Sequence, residues 1–360
     1  MKSILKFIIL ISFLLTGCFT NITSQRKTTI TETVKNISPA VVGITVYETQ
    51  KIIDPFFDFW SEDPFFRHFF GDQSFSREVQ SVGSGFIISS NGYILTNDHV
   101  AGKGSKIIVT LTNGESYKAK LVGTDYESDI CLLKIETNYK LPYLKFGEYD
   151  DILIGEWVIA LGNPFGLFNL NDQPTVSVGV ISAKDLILDP NQGRYYSNMI
   201  QTDAAINGGN SGGPLVNAKG EVIGMNTLIY SAGGSGNIGI GFAIPSNRLE
   251  KMISVLKSGK KFDRNFWTGL SVQNIDDNIY ETLKLKYRKG VIINNIQQNS
   301  PAHKSGLLVG DIIIKLDNHK IGNDKQLLTL LYDYQINDKV LFTVIRDNKE
   351  LNIQMILEKK

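Results

Sequence analysis

A chain of 360 residues exceeds one ordinary domain and suits two folded units with a tail. With 42% hydrophobic and 20% charged residues, and 33 glycines without a period, the composition is globular and rich in turns, which excludes a disordered chain. A formal charge of +1 offers no basic field, so nucleic acid is excluded as a partner.

Residues 1–17 place Lys2 and Lys6 ahead of an apolar run, Phe7 to Leu15, too short to cross a bilayer core of about 30 Å as a helix. This is the pattern of an export signal. It closes on Leu15-Thr16-Gly17-Cys18, which resembles a bacterial lipobox. Cys18 is then the expected lipid acceptor and mature N-terminus, with an ordinary cleaved signal or an uncleaved anchor as alternatives. The expected location is the cell envelope or periplasm, held to the membrane by that lipid. Residues 18–33 are assigned to a tether, polar and rich in Ser, Thr and Asn.

Residues 34–258 show short β-branched runs broken by glycine and asparagine: Val41 to Val46, Gly85 to Ile88, Lys106 to Leu111, Ile130 to Ile135, Trp157 to Leu161, Thr175 to Ile181 and Val222 to Thr227. Many short strands with no helical period between them predict an all-β barrel or sandwich. Nine aromatic residues crowd into Asp54 to Phe75 without a strand period, a stretch costly to leave in water. Ser246 to Lys257 changes to a helical period, with Leu249, Met252, Ile253 and Leu256 on one face and Ser246 as the expected N-cap. Ser258-Gly259-Lys260-Lys261 reads as a hinge. A second domain, 262–358, mixes strands with helical stretches near Pro301 to Gly306 and from Asn323 to Asp333, an α+β pattern.

Chemistry concentrates at Asn207-Gly208-Gly209-Asn210-Ser211-Gly212-Gly213-Pro214. Glycines let a backbone turn tightly enough to aim amide N–H groups at one point, which in acyl transfer is the developing oxyanion; losing one such donor costs about 3 kcal/mol in barrier. The turn Gly209-Asn210-Ser211 is the candidate oxyanion hole, with the amides of Gly209 and Ser211 as donors; a plain glycine-rich turn is the bland alternative. A serine nucleophile needs a base, and the chain has four histidines, His68, His99, His303 and His319. His68 lies in the aromatic stretch and the last two belong to the second domain, leaving His99, at the end of a strand and turn, unless it is structural. Asp129, opening the strand Ile130-Cys131-Leu132-Leu133, is the candidate carboxylate to orient it, with Asp125 as competitor. The order His, Asp, Ser is that of chymotrypsin-type barrels. Cys131 reads as a core residue, and no His or Cys pair has metal-ligand spacing, so no metal or cofactor is expected.

With Gly83-Ser84-Gly85-Phe86, Thr96-Asn97-Asp98-His99-Val100, Ser128-Asp129-Ile130 and Gln201-Thr202-Asp203-Ala204-Ala205-Ile206-Asn207 joined to that glycine-rich run, the sequence resembles the HtrA/Deg proteases. The resemblance implies an all-β chymotrypsin-like double β-barrel protease domain with His99, Asp129 and Ser211 as triad, followed by an α+β PDZ domain. Likeness to chymotrypsin-like enzymes puts Ala205 at the floor of the specificity pocket, where no anion awaits Lys or Arg, so small apolar residues are expected before the scissile bond. Asn210 stands where zymogen-activated relatives carry an aspartate, so activation by a new N-terminus is not expected. Lys184 to Asn198 matches the family's sensor loop, with Leu188 where an arginine is usual and Arg194 further on; an idle surface turn is the alternative.

Trp267-Thr268-Gly269-Leu270 is similar to the carboxylate-binding loop of HtrA-type PDZ domains, and Gly290-Val291-Ile292-Ile293, Ser300-Pro301-Ala302 and Gly310-Asp311-Ile312-Ile313 are similar to the core that follows it. There, backbone N–H groups take a peptide C-terminus while the peptide adds as a strand. Leu327, Leu330 and Leu331 are core residues by spacing and pocket residues by resemblance. The expected partners are unfolded protein or peptide substrates, C-terminal peptides on the PDZ domain, the membrane through Cys18, and further copies of the chain as a homotrimer or larger assembly.

Overall fold

A computed structural model describes residues 26–53, 74–163, 168, 172–229, 239–282, 285 and 288–360. The export segment, Cys18, His68 and residues 54–73 of the aromatic stretch lie outside the described residues.

The chain enters the fold through helix α1 (Thr29–Ile37), which corrects the tether boundary: five residues assigned to the tether are helical. Thr28 and Thr31 cap each other, Thr31 N–H donating to Thr28 Oγ1 (3.2 Å) and Thr28 N–H to Thr31 Oγ1 (2.9 Å). That reciprocal box uses threonine where glutamate is usual, so it leaves no sequence signature. Thr33 donates to the Ala218 carbonyl (2.7 Å) and Ile37 is buried in the core, so α1 packs on the barrel domain.

Six strands, β1 (Val41–Ile53), β2 (Ser74–Ile87), β3 (Tyr93–Thr96), β4 (Lys106–Thr110), β5 (Ser116–Asp125) and β6 (Ile130–Lys134), close a barrel in the order β1-β2-β3-β6-β5-β4. Pairing of Gly43 with Thr110 seals it. A second barrel holds β7 (Trp157–Gly162), β8 (Thr175–Leu186), β9 (Met199–Thr202), β10 (Pro214–Asn217), β11 (Val222–Ile229) and β12 (Gly241–Pro245), in the order β10-β11-β12-β9-β8-β7. This is the double barrel that the resemblance implies, and it decides between the barrel and the sandwich that the strand pattern left open. The unbroken apolar run of β6 has a cause in its position: Ile130, Cys131, Leu132 and Leu133 are fully buried, with the barrel core on one face and helix α3 (Ser246–Lys257) packed on the sheet from outside. Leu249, Met252, Ile253 and Leu256 are buried, as their period predicts. Ser246 is not the cap of α3; Pro245 holds that position, and the Ser246 hydroxyl donates instead to the Gly147 carbonyl (2.9 Å).

The hinge residues are followed at once by anchors. Phe262 is buried in the first domain's core, and Arg264 forks onto Asp125 (2.7 and 2.8 Å). The second domain has a sheet ordered β14 (Leu270–Asn274), β15 (Val291–Ile296), β16 (Ile312–Leu316), β18 (Lys339–Arg346) and β19 (Lys349–Ile356), with β17 (His319–Lys320) on β16 and a separate pair of β13 (Phe266–Trp267) with β20 (Glu358–Lys359). Helices α4 (Asp277–Thr282), α5 (Pro301–Ser305) and α6 (Asp324–Leu331) complete it. Ser300 and Asn323 cap α5 and α6, accepting from the amides of His303 (3.2 Å) and Gln326 (2.8 Å).

Candidate active site

Both barrels contribute to one cluster. The first brings His99 on the short helix α2 (Asp98–Ala101) after β3, and Asp129 in the turn between β5 and β6. The second brings Ser211 in the turn before β10.

Asp129 is fully buried and adopts a left-handed backbone, φ 60°. Its carboxylate is densely held. Oδ1 accepts from the His99 backbone amide (3.0 Å) and from Arg194 Nη1 (2.6 Å), Oδ2 accepts from Thr227 Oγ1 (2.8 Å), and His99 Nδ1 lies 3.0 and 2.8 Å from the two oxygens. Burial pushes the carboxyl pKa up, but the hydrogen bonds from His99 and the charges of His99 and Arg194 outweigh it and hold Asp129 below the usual carboxylate range. A carboxylate at Nδ1 selects the tautomer that leaves Nε2 free to accept a proton. The alternative carboxylate, Asp125, points elsewhere, to Arg264 and Ser128. Asn97 Nδ2 donates to the Asp129 carbonyl (3.0 Å), tying the two turns together.

The Ser211 hydroxyl donates to the Thr227 carbonyl (3.2 Å) rather than to the imidazole. Thr227, on β11, therefore touches the nucleophile with its backbone and Asp129 with its side chain. Ser84 steadies the glycine-rich turn, its amide donating to the Ser211 carbonyl (3.0 Å) and its hydroxyl to the Gly209 carbonyl (2.5 Å). Within the turn the Asn210 amide donates to the Asn207 carbonyl (3.0 Å), so Asn210 braces the turn between the two expected donors. The amides of Gly209 and Ser211 donate to nothing among the described residues, and Gly209 has φ 94°. Two free amides beside a hydroxyl, with an oriented imidazole nearby, are the parts acyl transfer requires.

Ala205 is exposed, and its carbonyl accepts from Ser177 Oγ (2.7 Å); the buried apolar side chain beside it is Ile206, packed under Gly241. The segment Lys184 to Asn198 is not an idle turn. Arg194 reaches the triad, Ile187 packs on the second domain's core, and Asp189 pairs with Lys325 (3.1 Å). Sequence reasoning missed Thr227 altogether and noted Arg194 only as a displaced arginine. Neither carries a local signal, since Arg194 lies 65 residues from Asp129 and Thr227 lies 98.

In the second domain Gly269 has φ 72°, and its carbonyl accepts from the Gln297 amide (2.9 Å). A Cβ there would meet Ser300 Cβ at 2.1 Å, so only glycine fits this loop. A cavity of ≈ 340 Å³ opens beside it, lined by Trp267, Thr268, Gly269, Leu328, Leu331 and Tyr332 among others. Leu327 and Leu330 are core residues, so of the three leucines expected at the pocket only Leu331 reaches it, with Leu328 as its neighbour.

Two closed six-stranded barrels with Ser211, His99 and Asp129 drawn from both, followed by a PDZ-type domain, define the class of trypsin-like peptidases with an appended peptide-binding module. The trypsin-like peptidase domain family matches residues 83–225 and the PDZ domain family residues 268–357. A probable periplasmic serine endoprotease, DegP-like, of Rickettsia prowazekii (strain Madrid E) is 44% identical over 272 residues, covering 76% of this chain and 52% of that protein. Its counterpart in Marinomonas sp. (strain MWYL1) is 38% identical over 367 residues, covering 98% of this chain and 75% of that protein. The chain thus spans about half the length of the Rickettsia relatives and three quarters of the Marinomonas one. Among solved structures, the HtrA-type protease AlgW with decapeptide is 34% identical with a TM-score of 0.65, covering 92% of this chain and 98% of that one. The serine endoprotease from Yersinia pestis is 28% identical with a TM-score of 0.56, covering 93% and 99%. The chain belongs to the DegP-like family of HtrA-type serine endoproteases.

Proposed function

We propose that the chain is an ATP-independent endopeptidase that degrades unfolded or damaged proteins in the periplasm, with Ser211 as nucleophile, His99 as general acid and base and Asp129 as its orienter. The observation that carries this reading is the buried Asp129 carboxylate on His99 Nδ1. Beside it, the Gly209 and Ser211 amides donate to nothing among the described residues. His99 Nε2 takes the Ser211 proton as the hydroxyl attacks the peptide carbonyl. The Gly209 and Ser211 amides receive the oxyanion, the imidazolium protonates the leaving amine, and water then releases the acyl group by the same route. The relatives are named periplasmic, which supports the compartment.

The second domain is read as the regulator, taking an apolar C-terminal peptide at the Trp267-Thr268-Gly269-Leu270 loop. The peptide-bound AlgW structure supports it, as does the ≈ 340 Å³ cavity at Gly269. Lipid attachment at Cys18 and assembly as a homotrimer or larger remain part of the proposal. A holding protein, or a protease that cuts one signalling partner, is the second reading, favoured by the fact that Ser211 bonds to Thr227 and not to His99. The test is degradation of unfolded casein by the purified chain and by Ser211→Ala, with and without an apolar C-terminal peptide. Cleavage lost in the variant and raised by peptide is expected; cleavage by neither protein moves the holding reading ahead.

A further inference from the structure

The segment between β8 and β9 sets one cation beside the carboxylate that orients His99. Asn191 and Arg194 pair across a tight turn, with Gln192 at φ 50° and Gly193 at φ 76°, which aims Arg194 inward. Its Nη1 donates to Asp129 Oδ1 (2.6 Å) and to the Tyr126 carbonyl (2.9 Å), and its Nη2 to Asp98 Oδ2 (2.8 Å). The guanidinium lies over the Tyr126 ring, 4.3 Å from its centroid. All three charged groups are buried: Arg194 is 9% exposed, Asp98 4% and Asp129 0%.

Among the described residues, the other ionisable groups around His99 either carry no charge or have a cation of their own. Tyr196, from the same segment, is 3.4 Å from Asp129 Oδ2, and Cys131 lies on β6; burial pushes both of their pKa values up, so they stay neutral. In the β5–β6 turn Asp125 and Glu127 face Arg264, at 2.7 and 3.7 Å. β11 brings Thr227, which is uncharged. What remains among the described residues is two carboxylates, Asp98 and Asp129, sharing one guanidinium next to one imidazole.

We propose that Arg194 is a positioning residue for the His99–Asp129 pair, whose charge offsets the second carboxylate, Asp98, and so keeps His99 a neutral base at lower pH. The proposal rests on the triad reading above. A general base must be unprotonated, and each uncompensated anion nearby favours the imidazolium. Without Arg194 two buried carboxylates near the ring lose the cation they share, so the acid limb of activity moves to higher pH. With Arg194 but without Asp98 a surplus positive charge moves it lower.

The experiment compares pH profiles of kcat/KM on unfolded casein for the full chain and for Arg194→Met, Arg194→Lys and Asp98→Asn, with the His99 ring titration followed by NMR in a Ser211→Ala background. Arg194→Met is expected to move the acid limb and the titration midpoint up by about one pH unit, the size of a single charge at this range in a partly screened site. Arg194→Lys keeps both near the parent values at reduced rate, because it keeps the charge and loses the fork. Asp98→Asn moves both down. A uniform loss of rate at every pH in Arg194→Met, with an unmoved His99 titration, makes Arg194 a scaffold residue and overturns the proposal. Should Arg194→Met not fold, an unmoved midpoint in Asp98→Asn does the same. Casein cleavage that survives Ser211→Ala removes the triad reading instead, whereas the ring titration reads the field of Arg194 without any cleavage.

Discussion

The rings of Tyr195 and Tyr332 stack across the domain boundary, their centroids 3.5 Å apart and their planes 10° from parallel. Tyr195 follows the arginine that holds Asp129, and Tyr332 ends α6 and lines the cavity beside Gly269. An aromatic pair adds about 0.5–1.5 kcal/mol beyond its buried area. A double-mutant cycle on Tyr195→Ala and Tyr332→Ala, read by denaturant unfolding, should therefore give a coupling energy of about 1 kcal/mol. Additive single effects would show that the stack contributes nothing to docking.

The Asp125–Arg264 fork makes domain docking sensitive to acid. Burial raises the Asp125 carboxyl pKa, but the hydrogen bonds and charge of Arg264 and the bonds from Ser128 hold it below the usual range. A carboxylate whose folded pKa lies below its unfolded value binds fewer protons folded than unfolded. Its contribution is therefore complete above the unfolded value of about 4 and drains away as pH falls through the folded one. Asp125→Asn should lower the denaturation midpoint at neutral pH and differ progressively less from the parent below about pH 4. A constant difference across that window would assign the loss to something other than this ion pair.

Two glycines of the nucleophile motif should respond differently to one methyl group. Gly212 has φ 84°, and a Cβ there would meet the Ser84 carbonyl at 2.2 Å and Thr96 Oγ1 at 2.3 Å. Gly208 would meet nothing within 4 Å. Gly212→Ala displaces the backbone next to Ser211 and should cost about 100-fold in kcat/KM, the scale of a 1 Å misplacement. Gly208→Ala should stay within about threefold of the parent, since it removes no donor and meets no clash. Equal losses would mean that space around the turn is not what selects glycine.

Ala205 offers a direct test of substrate preference. Cleavage of a peptide library by the parent chain should favour Val, Ala or Ile before the scissile bond. Ala205→Asp should weaken those cuts and raise cleavage after Arg or Lys by about fivefold, as an exposed charge pair of about 1 kcal/mol allows. A parent enzyme that cuts mainly after Arg contradicts the assignment of this position.

Much of this protein is decided by short-range pattern. Alternating β-branched runs and turn residues mark the barrel strands, the period of Leu249, Met252, Ile253 and Leu256 marks α3, and the glycine run marks the turn at Ser211. Each is a property of fewer than about fifteen neighbouring residues, which is the range over which backbone geometry imposes a period. Chain order and the scarcity of histidine singled out His99 and Asp129 as candidates in the same way. Tertiary structure alone decided the rest. Arg194 meets Asp129 across 65 residues, Thr227 meets it across 98, and Arg264 meets Asp125 across 139, because barrel closure and domain docking bring these segments together. The Thr28 cap, the exchange of Leu327 and Leu330 for Leu328 at the cavity, and the Asn210 amide's bond to the Asn207 carbonyl are likewise matters of which way a group points after packing. A buried ion network has no period and no composition of its own; the distances that create it exist only once the chain has folded.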